Sequence, residues 1–182
     1  MTTARDLLTP EFLARLRLGD GDAFERLFRA WYAPLADYAA RLVASADAAE
    51  DVVQDVFVAI WERRAELPDA GKLAAYLYRS VRNRGLNVIR GQATASRAVA
   101  QMDADPAVQP VVHERFEQEE VAAAVAAALE SLAPRTREVF LLSRNQGLTY
   151  AQIAETLGIS VKTVETLMGR GLRELRRQLL RG

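Results

Sequence analysis

The stretch 148-LTYAQIAETLGISVKTVETL-167 decides how the rest of the chain is read, because it predicts two short helices around a sharp turn. Thr149 and Gln152 have the spacing of a capping box, opening a helix that carries Ile153, Ala154 and Leu157. Gly158 supplies the positive φ of a sharp turn. Ser160 is a good N-cap for the second helix, and Ile159, Val164 and Leu167 turn that helix back onto the first. Val161, Lys162, Thr163, Glu165 and Thr166 then stand at or near its exposed start, where the recognition helix of a helix-turn-helix meets base edges. Lysine can hydrogen-bond guanine, threonine offers a hydroxyl and a methyl, and glutamate accepts from cytosine N4. Arg170, Arg173, Arg176 and Arg177 continue as expected phosphate contacts. The competing reading is a plain helical hairpin in a bundle; cap, turn and basic face together favour DNA.

Composition bounds what precedes this element. The chain has 182 residues, half of them hydrophobic, enough for one domain or two small ones. Glycine and proline are sparse and helix formers dominate, which predicts an all-α protein. The absence of cysteine excludes disulfides and thiolate metal sites, and one histidine makes a conventional zinc or catalytic-histidine site a poor fit. No cofactor or metal is therefore expected. The N-terminal MTTARDLLTPEFLARLRLGDGD is charged throughout, unlike a signal peptide. No window approaches the 18 or so apolar residues of a membrane span. A soluble protein of the cell interior, cytoplasmic and without membrane insertion, is the expectation.

A formal net charge of zero conceals segregation. Residues 70–102 hold Lys72, Arg79, Arg82, Arg84, Arg90 and Arg97 and no acid, and residues 162–182 hold six basic and two acidic side chains. Residues 47–66 and 103–120 each carry six acids, against two arginines and one respectively. Two basic patches separated by acidic stretches suggest a polyanion gripped at two places, rather than ordinary solvated helix faces.

Along the chain, Phe24, Leu27, Phe28, Trp31, Leu35, Tyr38 and Leu42 form a helical stripe capped by Asp20 or Asp22. Pro34 should kink that helix or divide it. A second helix, starting near Ser45 or Asp47, runs through 50-EDVVQDVFVAIWERR-64, with Val53, Phe57, Ile60 and Trp61 on one face and Asp51, Gln54 and Asp55 off it. After a break at 67-LPDAGK-72, the segment 73-LAAYLYRSVRNRGLNVIR-90 turns Leu73, Leu77, Val81 and Val88 inward and its arginines and asparagines outward. Residues 91–110 lose this periodicity and read as a linker. As a coil, its roughly 20 residues average about 25 Å end to end, with a limit near 60 Å. His113 reads as solvated. Val121, Val125, Leu129 and Leu132 mark a further helix, and Pro134 suits the first turn of one carrying Val139, Phe140 and Leu142 that ends near Gly147.

At this point the chain resembles a bacterial RNA polymerase sigma factor of the small extracytoplasmic-function type. The resemblance runs from about Gly19 to Leu180. It is carried by 19-GDGDAFERLF-28, 47-DAAEDVVQDVFVAIWERR-64 and 76-YLYRSVRNRGLNVIR-90 in the first half, and by 132-LAPRTREVFLLSRNQGLTYAQIAETLGISVKTVETL-167 in the second. It implies two small helical domains joined by a flexible linker: residues 1–92, a linker over 93–115, and residues 116–182 containing the helix-turn-helix. It implies, too, that Asp51, Gln54, Asp55, Phe57 and Trp61 dock on a coiled coil of the core polymerase, with Phe57 and Trp61 equally readable as core. Lys72, Tyr76, Arg79, Arg82, Asn83, Arg84, Asn87 and Arg90 would serve the start-proximal promoter element (the −10 box), with Tyr78 and the 68–72 loop helping to hold an extruded base. Thr149, Tyr150, Ser160, Val161, Lys162, Thr163, Glu165, Thr166, Arg170 and Arg173 would serve the upstream element (the −35 box). Core RNA polymerase, promoter DNA and an anti-sigma factor are the implied partners.

Three departures stand out. Tyr76 occupies a position that is often tryptophan in the family, Asn87 one that is often aspartate, and 167-LMGRGLRELRR-177 carries two glycines where a histidine- and arginine-rich run is usual. The rival reading is a LuxR-type regulator binding DNA without the polymerase, which requires an N-terminal α/β receiver; residues 1–110 show helical periodicity instead. A nucleic-acid enzyme built on Asp47, Glu50, Asp51 and Asp55 fails because Glu50 and Asp51 point to different sides of their helix.

Overall fold

The computed structural model describes residues 4–43, 45–99 and 125–179, with 92–99 as backbone alone. Every regular element among them is helical. The chain forms two compact units, one on either side of the stretch 100–124.

The first unit contains α1 (Pro10–Arg17), α2 (Gly21–Ala40), α3 (Ala46–Glu62), a 3₁₀ turn (Arg64–Glu66) and α4 (Ala70–Val99). Each start has a local cause. The Thr9 hydroxyl accepts from the Phe12 amide and Pro10 takes the first helical position, where a missing N–H costs nothing. Asp20, rather than Asp22, caps α2 by accepting from Ala23 N–H, and Ser45, rather than Asp47, caps α3 by accepting from Ala48 N–H. The core is made by Leu16, Leu27, Trp31, Leu35, Val53, Ile60, Leu73, Leu77 and Val81, all essentially without solvent contact. Each such side chain contributes about 1.5–3 kcal/mol by burial.

One expectation changes here. Pro34 does not divide α2, which runs unbroken over 20 residues; Trp31 before it and Leu35 and Tyr38 after it are buried in the same core, and that packing outweighs one lost backbone hydrogen bond. α4 itself continues as helix to Val99, into the segment whose apolar periodicity is lost. Loss of apolar periodicity removes the packing signal without removing helix propensity, and Gln92, Ala93, Ala95, Arg97 and Ala98 are good helix formers.

The second unit comprises α5 (the described run 125–130), α6 (Pro134–Arg144), α7 (Tyr150–Leu157) and α8 (Val161–Leu179). Val139, Leu142, Ile153 and Val164 are fully buried, and Ala128, Leu132 and Leu175 form a cluster with Leu129 and Phe140 packed on it. Val125, expected inward, is 38% exposed, one turn too early to reach this cluster. Arg137 closes the C-terminal end of α5 by donating to the carbonyls of Leu129 (2.8 Å) and Glu130. Arg135 does the same for α7 through the carbonyl of Leu157, 2.9 Å away. Val121 and His113 lie outside the described residues.

Candidate nucleic-acid and partner interfaces

On α3 the residues Asp51, Gln54 and Asp55 are exposed together, and Val58, 57% exposed, extends the same face. Sequence reasoning missed Val58; the signal for it was the apolar residue spaced three and four from Asp55 and Gln54. Phe57 does not belong to that face. It is buried, with its ring edge-on to Phe24 (6.2 Å) and tilted against Phe28 (4.8 Å), so its place is the core. Trp61 is half-buried between Phe24, 5.0 Å away, and the guanidinium of Arg64, 4.7 Å above its ring.

α4 carries the basic face. Lys72, Tyr76, Arg79, Asn83, Asn87 and Arg90 recur at intervals of three and four, which aligns them in one stripe about 27 Å long. Five of the six are exposed and Tyr76 is half-buried, as is Arg82 beside them. Arg90 donates to the Asn87 side-chain carbonyl at 3.0 Å. Tyr78 is turned the other way, into the core, against Trp31 (6.1 Å) and Tyr38 (5.4 Å). Burial pushes its phenol well above the ordinary tyrosine range, and the same burial keeps its ring from stacking on a base. Residues two apart lie on different sides of a helix, so Tyr76 and Tyr78 could not both face DNA, and burial decides which one does not.

The acidic and basic faces meet. Arg84 Nη1 donates to Asp55 Oδ2 at 2.9 Å, and Asp51, Asp55, Arg84 and Asn87 rim a shallow cavity of about 270 Å³ floored by Val52 and Val88.

In the second unit the capping box is present in both halves. Thr149 Oγ1 accepts from Gln152 N–H at 3.3 Å, and Gln152 Oε1 accepts from Thr149 N–H at 3.1 Å. Gly158 adopts φ +64°, reversing the chain between α7 and α8. Ser160 Oγ accepts from Thr163 N–H (3.0 Å) and bonds the Thr163 hydroxyl (2.8 Å), while the Thr166 hydroxyl donates to the Lys162 carbonyl (2.9 Å). Thr149 and Ser160 therefore build the helix starts. Val161, Lys162, Thr163, Glu165, Thr166, Arg170 and Arg173 remain on the exposed side of α8, with Tyr150 exposed at the start of α7. Lys162 and Glu165 form a loose pair at 3.4 Å.

The two glycines do not break α8. Gly171 is a packing residue: a Cβ there would come within 3.1 Å of the Thr136 methyl, so glycine lets α8 lie close on α6. A cavity of about 530 Å³ opens beside this contact, lined by Arg170, Arg173, Arg177 and Thr136 and by Ala133 at the start of α6, which has no side-chain cap. Glu174 lines it too and pairs with Arg177 at 2.5 Å, which leaves Arg170 and Arg173 as the cations suited to backbone phosphate. Among the described residues no group of three or more His, Asp or Glu could hold a metal ion. No described helix is long and apolar enough to cross a membrane.

Comparison with known proteins follows this division. Residues 27–94 match the family described as Sigma-70 region 2, and residues 122–175 match Sigma-70, region 4. The chain belongs to the sigma-70 family of RNA polymerase sigma factors, of the extracytoplasmic-function type. It is 29% identical to the ECF sigma factor SigK of Mycolicibacterium vanbaalenii, over 95% of this chain and 91% of that one. Against the ferric citrate uptake sigma factor FecI of Escherichia coli the identity is 28%, over 82% of this chain and 86% of FecI. Among solved structures, CnrH in complex with the cytosolic domain of CnrY superposes with a TM-score of 0.64 at 27% identity, covering 94% of this chain and 97% of CnrH. The fold is shared, too, by RpoE of Bartonella quintana, solved with the anti-sigma factor NepR, with a TM-score of 0.66 at 22% identity over 86% of this chain and 96% of RpoE. This sigma factor directs RNA polymerase to promoters and is not itself an enzyme.

Proposed function

We propose that region 2 of this sigma factor holds the core polymerase with α3 and the unpaired start-proximal element with α4, while region 4 reads the upstream element as duplex with α8. The observation that carries the reading is the α4 stripe: three cations and two amides share one helix face with an aromatic residue among them. Opening a duplex requires positive charge for the backbone and surfaces for unpaired bases. Lys72, Arg79, Arg82 and Arg90 supply the first. Tyr76, Asn83, Asn87 and the loop before α4 supply the second.

Asp51, Gln54, Asp55 and Val58 present an acidic face with an apolar centre, suited to a basic, partly apolar helix of the polymerase; Trp61 borders it. In region 4, Lys162, Glu165 and Thr166 read base edges, with Val161 and the Thr163 methyl available for thymine. Arg170 and Arg173 hold phosphates. Thr149 and Ser160 act by fixing the helices, and Tyr150 flanks the backbone. The place of action is the cytoplasm, where core polymerase works. An anti-sigma factor that covers the polymerase- and DNA-binding faces fits the two-surface design and the partners of the structural relatives.

Run-off transcription with purified core polymerase, with and without this protein, on fragments from upstream of its own genes tests the reading. Discrete starts should appear only with the protein and disappear with Asp55→Ala or Arg82→Ala. Specific DNA binding with no dependence on core polymerase would overturn it.

A further inference from the structure

The turn that leads into the DNA face of α4 is held from outside, by α1. Residues 63–69 reverse the chain between α3 and α4, and Leu67, in extended conformation before Pro68, has a carbonyl that the local helices cannot use. Arg17, in the last turn of α1, donates to that carbonyl from Nη2 at 2.6 Å. The same nitrogen lies 3.4 Å from the Asp69 carboxylate, one residue before α4 begins, and the Asp69 carbonyl accepts from Lys72 N–H at 2.8 Å. A second contact braces the other end of the turn. Gly19, at φ +84°, lies so close to Arg64 that an added Cβ would stand 3.0 Å from its Nε. Arg64 in turn stacks on Trp61 and donates to the Trp61 carbonyl at 2.8 Å.

The chemistry of this clamp is odd for a purely structural bond. Arg17 Nε is buried without a hydrogen-bond partner. A buried guanidinium donor left unsatisfied is a cost that a plain apolar filler would avoid. What the arginine supplies, and an apolar residue cannot, is a fixed direction for the Leu67 carbonyl and the start of α4.

We propose that Arg17 is a positioning residue for promoter opening: its guanidinium preorganises the 63–69 turn, and the first turn of α4, to receive an unpaired base of the start-proximal element. This rests on the assignment of that element to α4 and its preceding loop. Binding is strengthened when a loop is held beforehand in its bound shape, because the ordering is not charged to the binding step. α1 itself need touch neither DNA nor polymerase.

The test compares wild type with Arg17→Ala, Arg17→Lys and, as a neighbour on the same helix, Arg15→Ala. Each would be assayed as holoenzyme on the promoter identified by run-off transcription, in intact duplex form and with the start-proximal element already unpaired. Losing one charge-assisted hydrogen bond should lower output from the duplex by about tenfold for Arg17→Ala. Thymine reactivity to permanganate should fall in parallel, core affinity should hold, and much of the loss should disappear on the unpaired template. Arg17→Lys keeps one donor for Leu67 and should recover part of the output, and Arg15→Ala should behave as wild type. Equal loss on both templates together with lost core affinity would mean a folding role and overturn the proposal. So would full activity of Arg17→Ala. A salt dependence shallower by about one ion for Arg17→Ala would instead make Arg17 a phosphate contact, which also overturns it. If wild type itself gave no core-dependent start, the promoter assignment would fall first and the proposal with it.

Discussion

Gly19 and Gly158 share a positive φ but not a neighbourhood, and the difference makes a prediction. At Gly158 nothing lies within 4 Å of an added Cβ, so Gly158→Ala meets only the left-handed backbone penalty, about 1 kcal/mol. At Gly19 the same penalty is joined by a clash with the Arg64 guanidinium, which is held by Trp61. Gly19→Ala should therefore destabilise region 2 by roughly 2 kcal/mol, with each kcal/mol worth about 4–8 °C in thermal unfolding. Equal shifts for the two variants would show that Arg64 moves aside freely. Asp20 adds a pH signature. Arg15, bonded at 2.7 Å, and the Ala23 amide hold its carboxyl below the ordinary aspartate value. A folded pKa lowered in this way stabilises above the unfolded value of about 3.9 and loses that effect as pH falls through the folded value. Asn is an equally good cap without the charge. The melting-temperature gap between wild type and Asp20→Asn should thus be present at neutral pH and close below about pH 4; a gap that persists in acid would assign the effect to something other than the charge.

Among elements, helix starts were the most legible part of the sequence, because a cap is a local bond between residues three apart. Thr149, Gln152 and Ser160 perform the bonds their spacing predicts. The failures are where a distant contact decides. Phe57 reads equally as partner-facing or core until Phe24 and Phe28 are seen on either side of it. Pro34 reads as a break until the burial of Trp31, Leu35 and Tyr38 around it is known. Gly171 reads only as a departure from the family pattern until Thr136 is found against it. The Arg84–Asp55 bond joins residues 29 apart, which no periodicity announces. Both partners are substantially exposed, at 39% and 67%, so the pair should couple by less than about 1 kcal/mol in a double-mutant stability cycle. Loss of transcription by Asp55→Ala must then come from lost docking. Its melting temperature should stay near wild type while core affinity falls, and a protein that instead unfolds would return Asp55 to the role of a structural residue.

At the scale of the whole molecule, two basic faces belong to two separately packed units, and in the proposed reading each meets its own stretch of DNA. Region 4 has an exposed helix suited to an intact major groove, with exposed arginines further along it that would meet the flanking phosphates. Region 2 has a longer stripe in which cations alternate with amides and an aromatic ring, suited to a strand whose bases are unstacked. The two should therefore differ in their response to salt. Each phosphate contact on duplex DNA contributes about 0.9 to the slope of log affinity against log salt, and each on a single strand about 0.7. With the holoenzyme on full promoter DNA, Arg170→Ala with Arg173→Ala should flatten the slope by about 1.8, and Arg79→Ala with Arg90→Ala by about 1.4. Division of labour gives the sharper result. On a fragment carrying only an unpaired start-proximal element, the region 4 pair should change neither affinity nor slope, whereas the α4 pair should lower both. Sensitivity of that fragment to Arg170 and Arg173 would mean that the two units grip one segment of DNA together, and the reading of one promoter held at two places would have to be given up.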